Sequence, residues 1–289
     1  MDEQNIASTS GGGAVPDALL QALNESASEG NVNIERLEQV LSTPSMKEGA
    51  EKHQVPFQPI EAIVAFIDIL GTSSLMRSIT PENATQVASK ILGIKKLFEE
   101  EFAALKTEIP SSKLMVISDS FVISIPKEPD PFQKLIYMLA QCQYACLMSH
   151  NEIIRGAVAA GAIIGGKNDP TTIIGPAFIK AHDLETKNAI FPRIVVDAGI
   201  VEDSDICQGD ARLPLVLDKD GFKYIDFLYG NDADFDAIKG KISDGRAKTK
   251  TDAKNLQKWH WLNTFLEQKT NACLDCCRKM EQIEIMTTL

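Results

Sequence analysis

The segment 63–76, Ile-Val-Ala-Phe-Ile-Asp-Ile-Leu-Gly-Thr-Ser-Ser-Leu-Met, constrains the fold more than any other part of the 289-residue chain. Residues 63–69 form a near-continuous apolar, β-branched run that ends in Gly-Thr-Ser-Ser, the pattern of a buried strand closed by a turn. One carboxylate, Asp68, stands inside that run. Desolvating an unpaired carboxylate costs several kcal/mol or more, so Asp68 is expected to be paired, protonated or holding a metal ion.

A second carboxylate has similar neighbours. Segment 113–126 reads as two short apolar strands meeting at Ser118-Asp119-Ser120, a polar triplet suited to a hairpin tip. If these strands flank the first in one sheet, Asp68 and Asp119 converge at one edge. Taken singly, Asp68 fits a cap on the following turn and Asp119 a simple hairpin closure. As a pair in matching contexts they point to a site for hard divalent cations, Mg²⁺ or Mn²⁺, which relieve the repulsion between two carboxylates.

The order of elements gives a fold class. Strand 63–69 is followed by a helix starting at Thr80-Pro81-Glu82, with Pro81 at its first position, and running to Lys106. The hairpin 113–126, a helix 131–150 and a strand 153–164 complete β-α-β-β-α-β, a ferredoxin-like α+β unit with an antiparallel sheet and flanking helices. A helix after Gly175-Pro176, a strand 192–197 and a hairpin at Asp220-Gly221 follow. Residues 234–282 are expected to be helical, with Trp259, Trp261, Leu262 and Phe265 on packing faces. We divide the chain into an N-terminal appendage (1–58), flexible in residues 1–15 and then helical, a core domain (59–230) and a C-terminal helical extension (231–289).

The formal net charge of −11 argues against sequence-independent binding to nucleic acid or an anionic membrane. No apolar run approaches the roughly 18–20 residues of a membrane span, and the N-terminus lacks a leader pattern, so a soluble, cytoplasmic protein is expected. The six cysteines (142, 146, 207, 273, 276, 277) suit a reducing compartment as buried apolar groups; a zinc site is the lesser alternative, with no His at ligand spacing. The four His residues are scattered, which leaves no Ser/His/Asp arrangement to argue for a hydrolase.

Four motifs resemble class III nucleotidyl cyclases. Phe66-Ile-Asp-Ile-Leu-Gly71 is similar to the family's first metal motif and Ile117-Ser-Asp-Ser120 to its second, while Ile154-Arg-Gly-Ala157 resembles its Arg-x-Gly strand. Gly175 to Glu185, followed by Phe191-Pro-Arg-Ile-Val-Val-Asp197, has the family's closing helix-and-strand pattern. Met115 stands where purine cyclases carry a base-reading Lys or Glu, and Ile179 and Asp183 stand where they carry a catalytic Asn and Arg. In these departures the chain resembles the pyrimidine cyclases of bacterial Pycsar antiphage defence.

The resemblance implies a chemistry and a set of residues. UTP, favoured over CTP, would be converted to its 3′,5′-cyclic monophosphate, which would then act on a separately encoded effector. Asp68, Asp119 and the Ile69 carbonyl would hold two divalent cations, Mn²⁺ or Mg²⁺. Gly71, Thr72 and Ser73 would cradle phosphates, Arg155 would contact the triphosphate, Met115 would line the base pocket, and Lys180 would replace the missing catalytic cation. A homodimer with interfacial active sites is implied. Two rivals remain open: a catalytically inactive nucleotide-binding module with the same fold, and a nucleotidyltransferase using the same two carboxylates.

Overall fold

A computed structural model describes residues 59–288 apart from 165–171, 204–205, 207–212 and 230–233. The expected appendage 1–58 lies outside the described residues. At the centre of a seven-stranded sheet is β1 (Pro59–Ile69), with β3 (Ser120–Pro126) antiparallel on one side and β4 (Ile154–Ile164) antiparallel on the other. Strand β2 (Lys113–Ile117) pairs with β3. Beyond β4 come β5 (Ile194–Val196), parallel to it, and then β7 (Lys223–Ile225) and β6 (Leu215–Leu217). The order β2-β3-β1-β4 is that of the ferredoxin-like unit expected from the sequence.

The helices divide between the two faces because strand side chains alternate. Ile63, Ile67 and Ile69 of β1 enter the larger core, built with α2 (Ala84–Glu108), α3 (Pro129–Ala145), α6 (Phe235–Lys248) and α7 (Ala253–Thr288). Val87, Ile94, Phe98 and Leu105 make one apolar stripe on α2, and the Phe98 ring stacks on Phe121 of β3 at 4.0 Å. Ala62, Val64 and Phe66 face the other way and are covered by α4 (Pro176–Asn188), whose Ala177 and Ala181 are fully buried. Small side chains at i and i+4 let α4 lie close to the sheet. Asp68 is next in the Val64, Phe66 series, so it belongs to the α4 face, at the end of β1. A one-turn helix, α5 (Ala198–Val201), follows β5.

Several boundaries differ from those read in the sequence. Strand β1 begins at Pro59 rather than at 63, because β4 runs on to Ile164 and pairs with it along its whole length. Helix α2 starts at Ala84, not at Pro81. Thr80 to Asn83 form a turn in which the Asn83 side chain accepts from the Thr80 amide (2.7 Å) and donates to the Ser78 carbonyl (2.9 Å). The Gly-Thr-Ser-Ser turn continues as a short helix, α1 (Thr72–Arg77). Helix α3 ends at Ala145 and widens into a π-helical turn, Cys146–His150, closed by Asn151 at φ 50°. Ile238 and Ile242 of α6 and Trp259, Leu262 and Phe265 of α7 sit in the same core as β1.

Candidate active site

The register of the sheet builds the site. Asp68 lies directly opposite Ser120 on β3 and Arg155 on β4. The Ser120 hydroxyl donates to Asp68 Oδ1 at 3.3 Å, and Arg155 donates from Nε and Nη2 to Oδ2 at 3.4 Å each. Arg155 Nε also stands 2.6 Å from Glu185 Oε1 on α4, whose side chain is only 3 % exposed. One guanidinium therefore serves two carboxylates. Burial raises the Asp68 carboxyl above its ordinary range; Arg155 opposes the rise and the nearby charge of Asp119 adds to it. Glu185 is also raised, first by burial, again with Arg155 opposing.

Asp119 arrives from the β2–β3 hairpin tip, where Ser118 takes the left-handed conformation (φ 56°). Its carboxylate is bound by the Thr72 hydroxyl, which also lies 2.8 Å from the Ile69 carbonyl. A hydroxyl has one proton to give, so it can satisfy only one of the two oxygens at a time and leaves accepting capacity on the other. Gly71, at φ 90°, turns the chain from β1 into α1, and the Leu70 amide is tied to the Ile153 carbonyl at 2.9 Å. Asp68, Ile69, Thr72 and Asp119 thus present carboxylate, carbonyl and hydroxyl oxygens at one end of β1.

Hard oxygens of this kind suit Mg²⁺ or Mn²⁺, which usually bind through one or two carboxylates and complete their shells with water and substrate phosphates. Among the described residues, no group of three or more His, Cys, Asp or Glu side chains is placed to hold a metal ion. The donor set fits an ion shared with a phosphate ligand rather than one caged by protein alone.

Next to these oxygens is a cavity of about 370 Å³ lined by Asp68, Gly71, Arg77, Arg155, Lys254 and Lys258 among others. Sequence reasoning missed Glu185 as the partner of Arg155, and missed Lys254 and Lys258 altogether. Arg155 and Glu185 both stand in quoted motifs, so an i+8 relation between Ala177 and Glu185 on a buried helix face was the available signal. Nothing local marks Lys254 and Lys258.

The remaining candidates lie elsewhere in the chain. Met115 of β2 packs half-buried against the Val64, Phe66 and Phe178 cluster under α4 and does not line this cavity. Lys180 is half exposed and pairs with Asp197 at 2.6 Å. It borders a different, apolar depression beside Ile174, Phe178 and Ile179. Arg193 is a buried structural cation held by Asp218 and Asp220. Cys142 and Cys146 are free, buried thiols; Cys207 and the side chains of the 273–277 group fall outside the described residues.

Searches of protein-family models and of curated proteins find no match to the chain. Among solved structures it is similar to a bacterial light-regulated adenylyl cyclase (15% identity, 80% of this chain and 71% of that one, TM-score 0.45). It is also similar to the adenylyl cyclase CyaB from P. aeruginosa (13% identity, 60% and 97% coverage, TM-score 0.42). A third is the guanylyl cyclase Cya2 (11% identity, 60% and 97% coverage, TM-score 0.40).

Proposed function

We propose that this chain is a nucleotidyl cyclase that forms a 3′,5′-cyclic pyrimidine monophosphate, cyclic UMP from UTP or cyclic CMP from CTP, as the signal of a Pycsar-type antiphage system. The observation that carries the reading is the meeting of Asp68 and Asp119 with the Ile69 carbonyl at one end of β1, beside a cavity with arginine and lysine in its wall. In the reaction the ribose 3′-oxygen bonds to the α-phosphorus, the bond from that phosphorus to the bridging oxygen of the β-phosphate breaks, and pyrophosphate leaves. The 3′-hydroxyl proton passes to solvent. Asp68, Asp119 and the Ile69 carbonyl would hold two divalent cations, Mn²⁺ or Mg²⁺. When bound, these supply charge neutralisation on the triphosphate and a lowered pKa for the attacking hydroxyl.

The chain's own groups do the rest. Arg155 offers a forked cation to phosphate oxygens as its grip on Asp68 is exchanged for one on substrate. Gly71 lets the backbone of 71–73 approach a phosphate without a Cβ in the way. Lys180 and Met115 do not face the Asp68 cavity of their own chain, so in the proposed homodimer they would serve the partner's site, Lys180 at the transition state and Met115 at the base. The cyclic nucleotide would act on a separate effector protein.

A second reading is a catalytically inactive nucleotide-binding module. One observation favours it: Arg155 is tied to both Asp68 and Glu185, which places a cation where a metal ion would have to compete. Incubating the purified full-length protein with ATP, GTP, CTP or UTP and Mn²⁺, with products resolved by mass, separates these possibilities. We expect a cyclic pyrimidine nucleotide. A purine product alone would refute the pyrimidine assignment, and binding without any product would refute the cyclase.

A further inference from the structure

We infer that the start of the C-terminal helix α7 belongs to the substrate site, with Lys254 and Lys258 joining Arg77 and Arg155 to hold the polyphosphate of the nucleotide. The inference deepens the nucleotide reading given above and rests on it. Its first support is charge. The cavity at the end of β1 is lined by four cationic side chains, Arg77, Arg155, Lys254 and Lys258, and two carboxylates, Asp68 and Asp252. Asp252 and Asp68 both act on Lys258 through space, yet neither is in direct ion-pair contact with it, and four cations against two carboxylates leave the cavity with surplus positive charge. Asp68 is engaged by Arg155, and Asp252 caps α7, accepting from the Asn255 amide at 3.2 Å and from its side-chain Nδ2 at 2.7 Å.

Among the described residues, none of Arg77, Lys254 and Lys258 has a carboxylate within ion-pair distance; Lys258 Nζ donates only to the neutral Asn255 Oδ1, at 3.1 Å. In a chain of net charge −11, surplus cations gathered around one cavity mark the place where an anion is received.

The second support is the way α7 is fixed there. The Asn255 side chain lies 3.5 Å from the point a Cβ on Gly71 would occupy, so the helix start packs directly on the turn that follows Asp68. The adjacent Trp259 is 4% exposed and anchors the helix in the core. Lys258, half-buried between these anchors, is held toward the cavity rather than left to sweep through solvent. Its ammonium pKa is pushed down, first by burial and then by Arg155, with Asp252 and Asp68 opposing; a bound polyphosphate would add to that opposition. The volume, about 370 Å³, suits a small polar ligand.

The test is calorimetric titration of the full-length protein with inorganic tripolyphosphate, with Mg²⁺-UTP, with Mg²⁺-CTP and with uridine. The variants are Lys258→Met, Lys254→Met, Lys258→Arg and, as a control, the exposed α2 residue in Lys96→Met. Thermal unfolding of each variant checks the fold. Loss of one phosphate-contacting charge should weaken tripolyphosphate and UTP binding about tenfold, the equivalent of ~1.4 kcal/mol, and the Lys254/Lys258 double variant should lose more. Uridine binding should not change, Lys258→Arg should restore most of the affinity, and Lys96→Met should match wild type.

Wild-type affinity for tripolyphosphate in folded Lys254→Met and Lys258→Met would overturn the inference and leave the cyclase reading intact. Lysine-dependent tripolyphosphate binding by a protein that makes no cyclic product would support the cradle and overturn the cyclase instead. Failure of the wild-type protein to bind any of tripolyphosphate, UTP and CTP would overturn both.

Discussion

Replacing Arg155 with methionine keeps most of the side chain's length and removes the charge that Asp68 and Glu185 share. The side chains are 24% exposed for Arg155, 21% for Asp68 and 3% for Glu185. Removing one partner from a fully buried pair costs about 3–5 kcal/mol; with one end of this cluster open to the cavity, we expect about 2–3 kcal/mol near neutral pH. In a domain of this size that lowers Tm by roughly 5–10 °C.

The loss should depend on pH with a definite sign. Both carboxyls have folded-state pKa values raised above their unfolded ones, so their contribution to stability is fully present below the unfolded carboxylate range and is lost as pH rises through the folded values. Arg155 opposes that rise, and its removal lifts the folded values further. The variant should therefore approach wild type toward acid and diverge from it toward neutrality, by at most ~1.4 kcal/mol per pH unit for each carboxyl.

Urea unfolding of the full chain in steps from about pH 4 to pH 8, with Arg155→Met, Glu185→Gln and the double variant, measures this. An amide at Glu185 needs no counter-charge, so the double variant should lose at least ~1 kcal/mol less than the sum of the singles. A pH-independent loss, or strict additivity, would refute the shared-cation account.

Two further outcomes follow from the packing. Gly245→Ala would gain about 1 kcal/mol of helix propensity, but its Cβ would stand 2.4 Å from the Trp259 ring, a rigid group 4% exposed in the core. Overpacking of about 1–3 kcal/mol should win, giving a net loss in urea midpoint and a shift in tryptophan emission as α6 and α7 separate. Burial pushes the Cys146 thiol up to about 12 and raises Cys142 well above its usual value, so neither is an available thiolate at about pH 8. Peptide mass mapping should find both protected from iodoacetamide in the native protein and labelled in denaturant; rapid native labelling would contradict the packing of α3 and of the π-helical turn that follows it.

The order of the first four strands was legible because each carries its own signal: an apolar run around Asp68, a hairpin at Ser118-Asp119 and a strand after Glu152; the placement of β5, β7 and β6 beyond β4 was not. The convergence of Asp68 and Asp119 followed from that order, since antiparallel pairing puts the end of β1 beside the start of β3. Element ends were less legible. Whether Pro81 begins a helix depends on side-chain bonds of Asn83 that compete with helix formation. The start of β1 at Pro59 is set by its partner β4, not by its own composition.

The cationic wall of the cavity was not legible at all. Lys254 and Lys258 stand on an amphipathic helix where solvated lysines are commonplace, and only the docking of Asn255 on Gly71 directs them to the carboxylates. Met115 and Lys180, positions suggested by resemblance, lie within their own chain in an apolar cluster and in a surface ion pair.

The most direct test of the central claim is product analysis of wild type, Asp68→Asn and Asp119→Asn, each confirmed as folded, incubated with UTP or CTP and Mn²⁺. Each substitution keeps the side chain's size and removes one negative charge from the oxygen-rich end of β1. We predict a cyclic pyrimidine monophosphate and equimolar pyrophosphate from wild type, with turnover reduced at least about a hundredfold in both variants, the scale expected when a metal-holding group is lost. Undiminished turnover in either folded variant would show that the two carboxylates do not carry the chemistry.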